Sequence, residues 1–513
     1  MTLAKTFGIG LFGLTGTVIE VEADISSQLP AFQLVGLPDA SLTEATSRVR
    51  AACTNSGHAF PSKKVVVNLS PAAVPKSGSG FDLAIALAVL VAMEAVPAAA
   101  ISDKCFIGEL GLDGSIRPIP GVLPMTVAAR NAGFRHVVVP VGNLVEARLV
   151  DGVTVSGAAS LAQVIGCLNS GDPISSNLVI ATQSAPITTE LQLDLNQVIG
   201  QPLAVEGLIV AAAGGHHLSM IGAPGSGKTM LAERMATILP DLSVEQAIEL
   251  AAIESIASDG QQAINLNLRP RFQAPHHSTS RSALIGGGNG IPRPGAVSLA
   301  HHGVLFLDEA LEMQTSVVDA LREPLESGRV VINRSAGSAR FPARFQLILA
   351  ANPCPCGQSG VSGKTCTCGP AVIRRYGSRL SGPILDRIDI RLPIHQVSIA
   401  AAAGIGEVGS DSADAAKRVL AARLSAAERL KPYGLTLNAH LTGPMIRKHF
   451  RLSKRATAQL DYLVTVGKIS MRGYDRCLRL AWTLADLDGV TVPSHEHVQR
   501  AVVLRGSDNQ MGS

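Results

Sequence analysis

The sequence, 513 residues long, predicts a mixed α/β protein with three regions of different texture. Two observations favour this class: short apolar runs alternate with helix-like segments through the middle of the chain, and the C-terminal part is helix-like only. Short apolar strands separated by helices are typical of a parallel sheet with both faces covered. Because 46% of the residues are apolar and only 16% are charged, wholesale disorder is excluded.

The first region, 1–170, alternates β-rich runs such as 65–69 with Ala-rich helical runs such as 82–93. We therefore expect an α+β domain here. The stretch 171–194 contains Gly, Pro, Ser and Thr and predicts a linker to the next region.

The second region, 195–398, predicts a three-layer core in which helices cover a parallel sheet. Its strand-like runs are 218–221, 304–307 and 345–350. A stretch rich in Ala, Gly and Ser at 399–415 predicts a second linker. The remainder, 416–513, predicts a helical C-terminal domain.

The net charge of +4 is unevenly distributed along the chain. Residues 411–513 contain 16 Lys or Arg and 9 Asp or Glu, a net charge of +7, which leaves −3 for the rest. A basic C-terminal part favours a polyanionic partner such as nucleic acid. Helices with solvated Lys and Arg faces explain the same excess, so charge alone leaves both interpretations open.

The most apolar run, Leu83 to Met93, is followed by Glu94 and Pro97, well short of the ~20 residues that a membrane span needs. No basic and apolar leader opens the chain, so we expect a cytoplasmic protein without a membrane partner. The eight cysteines are scattered except for one cluster, which argues against a disulfide scaffold and raises the question of a metal site.

The clearest motif fits GxxxxGK[ST], follows an apolar run and opens a helix-like one, as a phosphate-binding loop requires. Glycines let backbone N–H groups wrap phosphates, and the following helix presents its positive end to them. We expect Lys228 to reach the β- and γ-phosphates of ATP and Thr229 to bind Mg²⁺. The residues of this expected nucleotide site are Gly222, Ala223, Pro224, Gly225, Ser226, Gly227, Lys228 and Thr229.

Two further runs complete the expected site. The run 303–309 is an apolar strand that ends in Asp308 and Glu309. Asp308 fits the partner of Mg²⁺, and Glu309 fits the base that orients and polarises the attacking water. The apolar run 345–351 precedes Asn352, which stands at a strand's carboxyl end, where α/β sheets bind ligands. We expect Asn352 to touch the γ-phosphate or its water, although a turn residue would explain it equally well.

The order of these motifs, followed by Leu385-Asp-Arg387, resembles that of an AAA+ ATPase. Further segments are similar to the magnesium-chelatase-like branch, and within it to the ComM/YifB group of bacterial competence-associated proteins. These segments are 274–277, 295–303, 352–357 and 379–389. The resemblance runs over nearly the whole chain. It implies ATP and Mg²⁺ as cofactors and a homo-oligomeric ring, usually a hexamer, with ATP bound between subunits.

The resemblance also assigns roles to two arginines. Arg387 fits an arginine finger that reaches the ATP of a neighbouring subunit and neutralises charge on its γ-phosphate. A surface ion pair with Asp386 or Asp389 is the alternative for Arg387. Arg472 lies in a segment that resembles the sensor-2 part of a helical lid, and it is expected to contact ATP in its own subunit.

The first region resembles the Lon-protease-like domain of the ribosomal-S5 type. In the similar segments, Gly80 takes the place of the nucleophilic serine and Pro124 that of the catalytic lysine. Neither residue can serve as a nucleophile or activate one, so the resemblance implies a domain without peptidase activity. A displaced pair formed by Lys76 with Ser77 or Ser79 is the alternative. We expect a binding or ring-stabilising role instead.

Four cysteines follow Asn352 closely: Cys354, Cys356, Cys366 and Cys368. With Gly and Pro turns around them, they predict a structural Zn²⁺ site in a loop too small for a core of its own. Four reduced thiols in a loop are the alternative, because the CxC spacing is tighter than the usual CxxC. The histidine pairs 276–277 and 301–302 predict loop or packing residues, because adjacent side chains diverge in most backbones.

Residues 329–344 predict a hairpin, with strands at 329–334 and 340–344 around a turn at 335–338. Arg334 and Arg340 flank this turn, where a ring motor would grip a phosphate backbone in its pore. An exposed polar hairpin without a ligand is the alternative.

Three functions remain open. The ComM resemblance implies a DNA-translocating motor for branch migration or helicase activity in homologous recombination during natural transformation. The motor subunit of a magnesium chelatase is one alternative, and the Lon-like first region argues against it. An ATP-dependent Lon-like peptidase is another, and Gly80 and Pro124 argue against it.

Overall fold

The structure is a computed structural model that describes residues 3–36, 40–71, 76, 78–174, 193–258, 260, 264–288, 292–334, 337–360, 365–396 and 411–506. Most of the predicted linker 171–194, positions 399–410 of the second linker, the turn positions 335–336 and Ser77 lie outside these residues. Within the part that is described, no helix is both long and apolar enough to cross a membrane.

The first region is an α+β unit with a four-stranded sheet of order β1-β2-β4-β3 and a smaller parallel sheet of order β5-β8-β9. The strands are β1 (Ala4–Phe12), β2 (Thr15–Ser26), β3 (Ala31–Val35), β4 (Lys64–Ser70), β5 (Lys104–Phe106), β6 (Glu109–Leu110), β7 (Ile116–Arg117), β8 (His136–Pro140) and β9 (Thr154–Ala158). The helices are α1 (Ala40–Asn55), α2 (Asp82–Ala92), α3 (Val122–Asn131), α4 (Leu144–Ala147) and α5 (Leu161–Ser170). Because α2 is apolar on all sides, it lies fully buried against β1 and β2.

The second region contains a five-stranded parallel sheet of order β11-β14-β17-β10-β18. The strands of this region are β10 (Leu218–Gly222), β11 (Phe272–Gln273), β12 (Gly286–Gly287), β13 (Arg293–Pro294), β14 (Val304–Leu307), β15 (Arg329–Arg334), β16 (Gly337–Pro342), β17 (Gln346–Ala351) and β18 (Ile390–Ile394). Its helices are α6 (Pro202–Gly214), α7 (Lys228–Ile238), α8 (Val244–Ala257), α9 (Arg281–Ile285), α10 (Ala296–Leu299), α11 (Thr315–Asp319), α12 (Arg322–Ser327), α13 (Pro370–Gly377) and α14 (Gly382–Leu385). The central strands β14 and β17 are buried along their whole length, as a parallel sheet covered on both faces requires.

The third region, as far as 411–506 describe it, is helical and contains no strand. Its helices are α15 (Ser412–Leu430), α16 (Gly443–His449), α17 (Lys454–Thr465), α18 (Met471–Leu487) and α19 (His495–Arg505). Helices α15 and α18 pack on α6, so the helical region and the sheet share one apolar core. Short 3₁₀ turns complete the chain at 98–100, 141–143, 195–197, 431–433 and 438–440.

A buried polar network joins the helical region to the start of β18. His216 Nδ1 lies 2.9 Å from Asp389 Oδ2, and its Nε2 lies 2.7 Å from Thr483 Oγ1. Arg476 approaches the other oxygen of Asp389 at 3.3 Å. Burial opposes ionisation, but His216 and the nearby arginines hold the pKa of Asp389 at about 2. The network therefore fixes α18 against the amino-terminal edge of the parallel sheet.

Candidate nucleotide site

The phosphate-binding loop connects β10 to α7 at the carboxyl edge of the parallel sheet. Gly225 and Gly227 have φ values of +75° and +89°, which only glycine adopts without strain. The ammonium of Lys228 donates to the carbonyl oxygens of Gly222 at 2.8 Å and Ala223 at 3.0 Å. Burial lowers the pKa of Lys228, while Asp308 and Glu309 oppose that shift.

Three chain segments that are distant in sequence meet at this loop. Thr229 Oγ1 donates to Asp308 Oδ2 at 2.8 Å, and Lys228 Nζ donates to Asn352 Oδ1 at 3.2 Å. These four side chains line an open cavity of about 420 Å³ together with Glu309. The hydroxyl and carboxylate oxygens of Thr229 and Asp308 form the hard donor set that Mg²⁺ prefers.

Glu309 is held in an uncommon backbone conformation, with φ of +49°. Its N–H donates to Asp308 Oδ1 at 2.9 Å, and its carboxylate lies 3.0 Å from His277 Nδ1. The sequence predicted loop or packing residues at 276–277, and the structure places His277 in a turn, beside the expected base. The available sequence signal for this contact was that His277 belongs to the motif segment 274–277.

Gln201 is a second residue that sequence reasoning missed. Its side-chain amide donates to the carbonyl oxygens of Ser226 at 2.8 Å and His395 at 3.3 Å. It therefore connects the phosphate loop to the end of β18. Its position before a helix-starting proline, Pro202, was the available signal, and that signal is weak.

Arg387 and Arg472 lie far from this loop, at the opposite edge of the sheet. Both line a polar cavity of about 820 Å³ that also contains residues at the amino-terminal ends of β10, β14 and β17. A five-residue strand is roughly 16 Å long, so the cavity and the phosphate loop are separated by about that distance. Arg472 pairs with Asp386. Arg472 therefore lies away from the phosphate loop of its own subunit, where it was expected to contact ATP.

Arg387 forms an ion pair with Glu326, at the end of α12. Arg387 is thus in a surface ion pair, but its partner is Glu326 rather than Asp386 or Asp389. With 36% of its side chain exposed, Arg387 remains accessible from outside the subunit.

The predicted hairpin is formed by β15 and β16, which pair in antiparallel register. Arg340 pairs with Val331 on one face of the hairpin, whereas Arg334 follows the buried Ile332 by two residues and lies on the other face; both arginines are themselves exposed. The two arginines thus point to opposite sides of the hairpin, which the sequence analysis did not foresee. The β1–β2 turn lies against the same hairpin, because the Phe12 ring lies 3.2 Å from where a Cβ of Gly337 would be.

The four clustered cysteines come together in the structure. The Sγ atoms of Cys354, Cys356 and Cys366 are separated by 3.3 to 3.7 Å, and that of Cys368 lies within 4.8 Å of all three. Thiolates at ~2.3 Å from one tetrahedral Zn²⁺ ion are roughly 3.8 Å apart. The spacing therefore fits one ion bound by four sulfurs.

Backbone groups of the cysteine loop point at the sulfurs. The N–H of Ser359 donates to Cys354 Sγ at 3.3 Å. The N–H of Gln358 and the neighbouring thiol of Cys354 lower the pKa of Cys356 to about 6. Four thiolates this close repel one another, so a bound cation is what allows all four to be charged.

A second cluster, formed by Glu249, His301 and His302, does not suit a metal. Both His301 Nε2 and His302 Nε2 approach Glu249 Oε2, at 3.2 and 3.1 Å. The N–H of Arg344, however, donates to His301 Nδ1 at 2.9 Å. A neutral His301 therefore carries its proton on Nε2, the atom that would have to bind the metal.

The residues at the positions of a Lon-type active site make other contacts in this structure. A Cβ at Gly80 would lie 2.9 Å from Ile119 Cδ1, and Pro124 is buried inside α3. Lys76 donates to the carbonyl oxygen of Pro71 and Ser79 donates to Glu109, and no hydrogen bond joins Lys76 to Ser79 in the described part of the chain. Ser77 lies outside the described residues.

Fold and site together define a P-loop ATPase of the AAA+ type. Residues 194–402 match the family model of magnesium chelatase, subunit ChlI. Residues 21–143 match the model of subunit ChlI of Mg-chelatase, and 409–505 match that of the ChlI C-terminal part. The chain belongs to the magnesium-chelatase-like family and, within it, to the ComM/YifB group.

Three of the relatives are similar to this chain over nearly their whole length. Competence protein ComM of Haemophilus influenzae is 38% identical over 98% of both chains. YifB of Escherichia coli K12 is 39% identical over 99% of this chain and 98% of its own. An uncharacterised protein of Mycobacterium tuberculosis is 46% identical over 98% of this chain and 99% of its own. The 38 kDa subunit of magnesium chelatase from Rhodobacter capsulatus is 23% identical and covers only 56% of this chain.

Proposed function

We propose that the protein is an ATP-driven ring motor that acts on DNA, in branch migration or unwinding during homologous recombination in natural transformation. The observation that carries this proposal is the meeting of the phosphate loop, Asp308 and Asn352 in a chain that is similar to a competence protein from end to end. A magnesium chelatase motor is less well supported, because the similarity to a chelatase subunit covers little more than half of the chain.

The nucleotide site acts through a few side chains. Lys228 binds the β- and γ-phosphates, and Thr229 and Asp308 hold the Mg²⁺ ion that ATP brings. Glu309 takes a proton from the attacking water, with His277 orienting its carboxylate. Asn352 positions the γ-phosphate or its water.

Arg387 and Arg472 complete the site of a neighbouring subunit in a ring, which we propose to be hexameric. Both arginines lie at the sheet edge opposite the phosphate loop of their own chain. In a head-to-tail ring that edge faces the next subunit's nucleotide, where a guanidinium stabilises charge on the transferring phosphoryl group.

The three regions take separate roles in this proposal. Residues 1–170 form a Lon-like domain without peptidase activity that supports the ring or binds nucleic acid. Residues 195–398 form the AAA+ motor, and 416–513 form a helical lid, with linkers at 171–194 and 399–415. The cysteine loop holds one structural Zn²⁺ ion.

DNA contacts come from the hairpin and are independent of base sequence. Arg340 is exposed on one face of the hairpin and binds a phosphate, whereas Arg334 beside Gly287 contributes from the other face. The excess of basic residues in 411–513 adds to the same affinity.

The test is ATP hydrolysis with and without single-stranded and branched DNA. We expect DNA to stimulate turnover, and we expect Arg340→Ala to reduce that stimulation while leaving basal turnover unchanged. Arg148→Ala removes the same charge from an exposed position in the first region and serves as the matched control. Turnover that is indifferent to every DNA structure would refute the DNA motor.

A further inference from the structure

The cysteine loop is in direct contact with the phosphate loop. Asn352, which accepts a hydrogen bond from Lys228, stands two residues before Cys354. Gly357, one residue after Cys356, lies against Pro224 of the phosphate loop. The two contacts thus enclose the first pair of cysteines.

The contact at Gly357 leaves no room for a side chain. A Cβ there would lie 2.5 Å from Pro224 Cδ and 2.8 Å from its Cγ. Gly357 also has φ of +74°, and its N–H donates to the carbonyl oxygen of Cys354 at 2.9 Å. The turn that presses on the phosphate loop is therefore built directly on a cysteine that belongs to the cluster.

The sulfurs are the main element that can hold this turn in place. Cys354 is fully buried, but Cys356, Cys366 and Cys368 are only partly buried, so the described part of the loop has little apolar core. A small loop of this kind depends on a bound metal for its shape. Without the metal ion, no metal–sulfur bond connects the four cysteines, and the turn loses that support.

We propose that one tetrahedral Zn²⁺ ion bound by the four cysteines controls nucleotide affinity, because it fixes the turn 352–357 against the phosphate loop. This inference rests on the proposed ATPase function and adds a metal requirement to it. The ion takes no part in the chemistry of hydrolysis. It acts as a clamp that positions Asn352 and Pro224.

The test measures metal content and ATP affinity in a Glu309→Gln background, where turnover does not disturb binding. Cys354→Ser and Cys366→Ser should each lose the zinc ion and bind ATP about tenfold more weakly. Cys167→Ser, a partly buried cysteine of α5, should change neither. Zinc-depleted protein should regain ATP affinity when zinc is returned.

A pair of glycine variants tests the contact without touching a cysteine. Gly357 and Gly360 have similar positive φ values, +74° and +71°, but a Cβ at Gly360 meets no described atom within 4 Å. Gly357→Ala should therefore weaken ATP binding far more than Gly360→Ala, with zinc retained in both. Adding Pro224→Ala to Gly357→Ala removes the clashing ring and should restore part of the affinity.

The possible outcomes distinguish failure of the zinc site from failure of the proposed ATPase function. Absence of zinc from the parent protein would overturn the metal site, and loss of zinc with unchanged ATP affinity would overturn the clamp; both leave the ATPase assignment intact. Equal effects of the two glycine variants would also overturn the clamp. A parent protein that binds no ATP would overturn the proposed function and this inference with it.

Discussion

At the scale of single residues, Glu309 shows how the backbone separates two adjacent carboxylates. Its φ of +49° costs of order 1–3 kcal/mol for a residue other than glycine, and such strain is typical of active sites. The turn sends the Asp308 side chain toward Thr229 and that of Glu309 toward His277. One carboxylate can therefore hold a metal ion while its neighbour stays available as a base.

The first prediction separates ATP binding from hydrolysis. Glu309→Gln should bind ATP with near-parental affinity but turn it over at least about a hundredfold more slowly, because an amide cannot accept the proton of water. Lys228→Ala should weaken binding itself. The dissociation constant and the rate under single-turnover conditions check both variants. Parental hydrolysis by Glu309→Gln would remove Glu309 from the proposed mechanism.

Much of the nucleotide site could be predicted from the sequence, because its residues sit at fixed positions relative to strand ends. The phosphate loop, Asp308 and Asn352 each follow an apolar run, and parallel strands bring their carboxyl ends to one edge. The contacts that His277 makes with Glu309 and Glu326 with Arg387 could not be predicted, because they form only in the tertiary fold.

At the scale of elements, the hairpin shows what a pattern of residues leaves undetermined. The sequence predicted strands at 329–334 and 340–344; the structure has the first at Arg329–Arg334, but the second at Gly337–Pro342, where it begins three residues earlier than predicted. Which face each arginine occupies depends on the pairing register, since a shift by one residue exchanges the faces. The register places Val331 opposite Arg340, and this separates Arg340 from Arg334.

The second prediction concerns the contact between α8 and the turn after α10, where His301 faces Glu249, His302 and the backbone of Arg344. Burial, assisted by the neighbouring His302, lowers the pKa of His301 to about 4. An unfolded chain takes up this proton near pH 6.5, so the free energy of unfolding should fall as pH is lowered from about 6.5 to about 4. The expected loss is roughly 1–3 kcal/mol.

Chemical denaturation at several pH values checks this prediction. In His301→Gln, whose amide oxygen can still accept the Arg344 N–H, the fall over this pH window should be smaller. His58→Gln, at a partly exposed position of the first region, should leave the fall unchanged. The same fall in the parent and in His301→Gln would show that His301 does not cause it.

At the scale of the whole molecule, the parallel sheet separates two sets of functional side chains. Its carboxyl edge holds the phosphate loop, and its amino-terminal edge holds Arg387 and Arg472. The sequence identifies Arg387 and Arg472 as candidates, but it does not show that the length of a strand separates them from the phosphate loop. The position of Arg472 depends on the packing of α18 on α6 and on the Asp389 network, which only the tertiary fold creates. In the proposed ring, one subunit therefore carries two incomplete halves of a site.

The last prediction uses this separation. Arg387→Ala subunits should bind ATP through their own Lys228 and Thr229 but fail to hydrolyse it, because the adjoining arginine is missing. Lys228→Ala subunits should carry an intact Arg387 but bind ATP poorly. Mixing the two should restore hydrolysis at interfaces that pair the intact phosphate loop of one subunit with the intact arginine of the other. The rate as a function of mixing ratio, measured at constant total protein, reports this recovery.

The control and the contrary result follow from the same geometry. Mixing Arg387→Ala with Arg472→Ala should not restore hydrolysis to the same extent, because both losses fall on the same edge of the subunit and no interface of a mixed ring then has both arginines. Arg387→Ala with Lys228→Ala should exceed that control at every ratio if Arg387 acts on the neighbour. Full hydrolysis by pure Arg387→Ala protein would reduce Arg387 to its ion pair with Glu326, and the shared site would have to be abandoned.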